Sequence, residues 1–240
     1  MKKTSILMGL AIAVVAIMAM ASIPLLALGD GNNTASTCPN NAPAASSTSG
    51  GQLSAVTFHD QWRHIWEDHV WYTRETIIDI LTNSSSTTAT VDRLIMVAND
   101  TRDVLRQYYG AQADAFYTQL VGHFTIAAQI VTGLRTSADV TTLVNDWFAN
   151  AMNMSVTMNQ MSPQFWMVGP VNAMWDNHLN LTIQEATQYF KGQFAASIAT
   201  FDLIENQGLM MADLFSNGIM NQFSNNFSER GCVPSTSMVT

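Results

Sequence analysis

The sequence predicts an all-α fold, an antiparallel bundle of about six helices behind an N-terminal signal or membrane-anchor segment. Three observations lead there. Between Val56 and Phe223 apolar side chains recur at three-to-four spacing, the period that gathers them on one helix face. No proline falls between Pro43 and Pro163 to interrupt that pattern. Alternating, β-branched runs are nearly absent, which leaves helix-on-helix packing as the way to bury the stripes.

The chain opens with Lys2 and Lys3 ahead of an uncharged apolar run from Ile6 to Leu28. A positive start followed by such a run directs the remainder across a membrane. Its length reaches the roughly 20 residues needed to span a bilayer, which suits a retained anchor contacting the membrane through residues 6–28. Ala19-Met20-Ala21 and Ala27-Leu28-Gly29 suit a cleaved signal, and Pro24 disfavours a spanning helix. Both readings stay open, and both make the protein extracytoplasmic: at the cell surface, membrane-anchored or secreted. The division expected is signal or anchor over 1–29, an Asn/Ser/Thr/Ala/Pro-rich linker over 30–55, a helical bundle over 56–223 and a tail over 224–240.

Within the bundle each helix has its own signals. The first, about 56–81, aligns Trp62, Trp66, His69, Thr73, Ile77 and Ile80. The second begins near Thr90, with Asp92 in its first turn, and stops at Gly110, which can take a left-handed cap. The third, about 113–134, aligns Phe116, Leu120, His123, Ala127 and Ile130. The fourth is expected from Thr136 to Met161. Ser162-Pro163 reads as the start of a fifth, ending near His178 and kinked or divided at Gly169-Pro170. Thr182 and Glu185 have capping-box spacing for the last, to Phe223.

Charge and cysteines limit the functions. All 18 acidic residues but only eight of the ten basic ones follow the apolar segment, so the exported part carries a net charge of −10. Such a surface repels nucleic acid. Cys38 and Cys232, near opposite ends of the exported chain, are expected to form one disulfide, since an even helix count returns the chain to its starting end.

Chemistry is left to polar residues inside or beside apolar stripes. His123 stands where Leu or Ile is expected, and His69 sits between Trp66 and Thr73. With Asp100, His178, Glu205 and Asp213 they form a candidate set for a divalent first-row metal, since imidazole and carboxylate are both ligands for such ions. The same residues serve equally as a buried structural network. Paired Glu-x-x-His, HExxH and GxSxG motifs and a phosphate loop are all missing, so no enzyme activity is assigned. Asp60, His64 and Asp68 share one face of the first helix and read as a solvated surface.

Read together, these positions resemble a group of small bacterial and archaeal helical proteins of unassigned function. The resemblance rests on Trp66-Glu67-Asp68-His69-Val70-Trp71-Tyr72-Thr73-Arg74, Tyr108-Tyr109-Gly110, His123, Trp147 with Asn150-Ala151, His178-Leu179 with Thr182, and Met210-Met211-Ala212-Asp213 with Gly218-Ile219 and Gln222-Phe223. This chain has Val97 and Met152 where the group tends to have Asn and Asp. Some members carry an acetylglutamate kinase label, which the expected all-α fold does not support. The resemblance implies a shared fold and polar core, without an activity. The function expected is therefore an exported helical domain with a buried His/Asp/Glu cluster that binds a metal or small ligand. The alternative is a structural or interaction module of the cell envelope.

Overall fold

The computed structural model describes residues 53–228. The signal or anchor segment, most of the linker, Cys38 and Cys232 lie outside the described residues, and with them the expected disulfide. Among the described residues no helix is long and apolar enough to cross a membrane.

The fold is the all-α bundle that the periodicity predicts. Its helices are α1 (Ala55–Thr82), α2 (Thr87–Tyr109), α3 (Gln112–Thr136), α4 (Thr141–Met161), α5 (Val168–Phe190) and α6 (Phe194–Gln222). Each packs on the next and α6 returns to α1, while α1 also reaches α3 and α5. Two short strands, β1 (Leu53–Ser54) and β2 (Phe227–Ser228), pair in parallel, Leu53 opposite Phe227. They bring the two ends of the described chain together, and Phe227 closes that end of the core against Phe58 and Tyr108.

The boundaries differ where local signals were ambiguous. Thr136 ends α3 instead of starting α4, and Ser137 takes the left-handed cap (φ 56°) with Ala138 N–H donating to the Gly133 carbonyl. Asp139 then accepts from the backbone N–H of Thr141 at 2.9 Å and orders the start of α4. Ser162 closes α4 instead of opening α5. Pro170 is the third residue of α5, where an amide hydrogen has no intrahelical acceptor to lose, so α5 is not divided there. Thr182 and Glu185 are buried inside α5, and the break comes after Phe190, with Gly192 at φ 72°. A capping-box spacing is only i, i+3, and any helix interior supplies it.

The core is aromatic. Trp62, Trp166, Trp175, Phe58, Phe116 and Phe215 are fully buried, and Trp62 stacks on Phe215 at 4.8 Å. Trp166 lies across α6, its indole N–H donating to the Leu214 carbonyl at 3.1 Å. Gly218 gives it the room, because a Cβ there would collide with the indole nitrogen. Gly218→Ala is therefore expected to destabilise the bundle by about 1 to 3 kcal/mol through overpacking, read as a lower urea midpoint with an unchanged m-value.

Candidate functional site

Three of the six sequence-selected residues converge. His69 from α1, His123 from α3 and His178 from α5 line one interior cavity, with Thr73, Thr76, Leu94, Phe124, Trp147 and Thr182 among its walls. The volume open to the centre of a water-sized molecule is about 30 Å³. All three imidazoles are buried in aromatic surroundings. Phe124 stacks on His69 at 5.1 Å, Trp66 stands edge-on to both His69 and His178, and His123 lies between Trp147 and Trp175.

Burial sets their charge state. Desolvation first, then the neighbouring imidazoles of His178 and His123, holds His69 well below the ordinary histidine range. The same desolvation lowers His123 to about 3 and His178 to about 4, partly offset in each case by an amide hydrogen bond. At neutral pH the three rings are uncharged, and each carries one N–H and one lone pair.

The hydrogen bonds decide which nitrogen is which. Gln207 donates its side-chain amide to the Met174 carbonyl at 3.1 Å, so its Oε1 faces His178 and accepts from Nδ1–H at 2.8 Å. That leaves Nε2 of His178 as an acceptor, and His69 Nε2–H donates to it at 3.2 Å. His69 Nδ1 is then a lone pair, buried and without a protein partner. Asn150 works in the same way. Its amide donates to the Gln119 carbonyl and its Oδ1 accepts from His123 Nδ1–H, both at 3.1 Å, so His123 Nε2 is a second buried lone pair without a protein partner. The hydroxyls of Thr73 and Thr76 and the indole N–H of Trp147, all from cavity-lining residues, are likewise buried and unpartnered.

The three carboxylates of the candidate set stand apart from this cavity. Asp100 is exposed on α2, off the buried stripe formed by Leu94, Val97, Ala98 and Thr101. Glu205 is half-buried beside the α6 stripe that carries Ile204 and Gln207 inward. Asp213 lies at the α1–α6 seam, accepting two hydrogen bonds from Arg63, at 2.9 and 3.0 Å, and meeting His59 at 2.8 Å. Those bonds, Arg63 foremost, hold its carboxyl below the usual range. Among the described residues no three His, Cys, Asp or Glu side chains are grouped so as to hold a metal ion. Of the surface cluster on the first helix, Asp68 pairs with Arg93.

Sequence reasoning missed Gln207, which supports His178, and Asn150, Arg74 and Glu185, which it met only as parts of motifs. Glu185 is buried on α5 and pairs with Arg74 of α1, whose guanidinium packs over the Phe201 ring at 4.8 Å. Burial outweighs that guanidinium and pushes the Glu185 carboxyl up to about 7. No family model, curated protein or solved structure matches this chain.

The shifts fix the pH response. The histidines bind protons more weakly folded than unfolded, so stability is lost as pH falls from 6.5 toward 4. Glu185 acts oppositely, its raised value removing stability as pH rises from 4.5 through 7. The urea midpoint is expected to fall on acidification below 6.5. His123→Leu should flatten that acid limb, and Glu185→Gln should flatten the decline toward neutrality, both read from midpoints across pH 4 to 8.

Proposed function

We propose that this chain is an exported, extracytoplasmic ligand-binding domain whose site is the cavity between His69, His123 and His178. One observation carries the reading: two imidazole lone pairs, His69 Nδ1 and His123 Nε2, are buried without a protein partner beside a cavity of molecular size. Leaving such acceptors unmet costs about 1 to 3 kcal/mol each, and a bound ligand that hydrogen-bonds to them offsets that cost. The resemblance to the helical group of unassigned function supports the same site, because all three histidines belong to the residues that carry it.

A divalent first-row metal is the second reading. Asn150 holds the Nδ1–H of His123 and leaves its Nε2 lone pair without a protein partner, the support that metal-ligating imidazoles usually have. Against it stands the lack of a third grouped ligand among the described residues. The disulfide between Cys38 and Cys232 belongs to the same exported picture. The paired ends at Leu53 and Phe227 support it by leaving only short stretches of chain to each cysteine.

Elemental analysis and native mass spectrometry of the exported domain, purified without chelators, test the reading. Bound small molecule or metal is expected at near one per chain, and His123→Leu should lose it while remaining folded. A wild type that carries nothing and gains stability on His123→Leu would instead make the cluster a packing network, as in an envelope structural module.

A further inference from the structure

Resting on that reading of the cavity, we propose that its ligand is a small neutral hydroxyl compound of two or three heavy atoms, admitted between α2 and α3. The polar atoms dictate the class. His69 Nδ1 and His123 Nε2 are acceptors only, so a ligand that satisfies them must donate hydrogen bonds. The Trp147 N–H is a donor only, so the ligand must also accept. A hydroxyl does both. The Thr73 and Thr76 hydroxyls add adaptable partners, because neither makes the bond to the carbonyl one turn back that Thr101 and Thr182 of the same core make.

Size and charge narrow it further. A cavity of about 30 Å³ for water-sized centres holds about two or three linked heavy atoms, since one water occupies roughly 10 to 15 Å³ on that measure. No charged side chain lines it, and its remaining wall is aliphatic or aromatic. An ion entering would shed its hydration without a counter-charge, whereas a neutral hydroxyl compound would not.

The route is marked by shared walls. An open groove of about 330 Å³ lies over Val91, Ile95, Thr125, Gln129 and Thr132 of α2 and α3, again with no charged residue. Thr76, Leu94, Phe124 and Ala128 line both the groove and the cavity. These four side chains form the partition. Leu94 and Phe124 are the large ones in it, and Phe124 is also the ring stacked on His69, so its motion couples passage to the site.

The test uses the exported domain labelled with ¹⁵N and spectra that report histidine ring nitrogens. Ethanol and methanol are expected to shift His69 Nδ1 and His123 Nε2 saturably, whereas acetonitrile, of similar size but without a donor, leaves them in place. Thr125→Trp, at an exposed position in the groove, should slow ethanol exchange at least tenfold, and Leu94→Ala should accelerate it. Equal shifts with acetonitrile overturn the hydroxyl assignment, and so does zinc chloride moving these nitrogens when the alcohols do not; the ligand-binding cavity survives both results. Unchanged exchange in both Thr125→Trp and Gln129→Trp overturns the route alone. Histidine nitrogens that respond to none of the alcohols, acetonitrile or zinc overturn the site itself.

Discussion

Three imidazoles can remain inside an aromatic core only as neutral rings, and much of this structure follows from that requirement. A charged ring here would lose hydration that tryptophan and phenylalanine faces do not replace. A neutral ring needs one acceptor for its N–H and one donor for its lone pair. The bundle supplies the acceptors from three helices at once: Gln207 on α6 for His178, Asn150 on α4 for His123, and His178 on α5 for the His69 of α1. Those bonds tie α1, α5 and α6 into one chain and α3 to α4 through another, so the histidines also fix how the helices are phased about one another.

The donors are what the fold does not supply. The amides are committed by their own second bonds, Gln207 to Met174 and Asn150 to Gln119, and cannot turn to serve the imidazole lone pairs without breaking them. The frustration at His69 Nδ1 and His123 Nε2 is thus built in by the neighbours. By contrast, the buried hydroxyls of Thr101, Ser155, Thr182 and Ser216 each find a carbonyl four residues back.

The fold was legible because six amphipathic stripes survive any error of a few residues at their ends. The boundaries were not, since Thr136, Ser162 and Thr182 carry side chains that suit a cap and suit a helix interior just as well. At the site, His69 and His123 were visible as polar residues inside apolar stripes, and the structure buries both. The carboxylates were misleading because a helix flank and a helix face differ by a single residue. Asp100 adjoins the buried Thr101 and Glu205 adjoins the buried Ile204, yet each looks outward or sideways. Asp213 was drawn in by its buried neighbours Met211 and Ala212, but Arg63, a residue on another helix, decides where its carboxylate lies. No spacing rule on one helix contains that information.

The same reasoning separates the two buried polar systems of α5. Glu185 meets the half-buried guanidinium of Arg74 directly, and the burial that pushes its carboxyl up to about 7 leaves it no unpartnered place in the core. His178 satisfies His69 only on one nitrogen and passes the deficit across the cavity wall. Two systems two helical turns apart, one closed and one open, share the same desolvating bundle. Burial alone therefore does not explain the unmet lone pairs, because Glu185, buried on the same helix, has Arg74 of α1 for a partner. The open system is the one that faces a cavity, so unmet acceptors and available space coincide there.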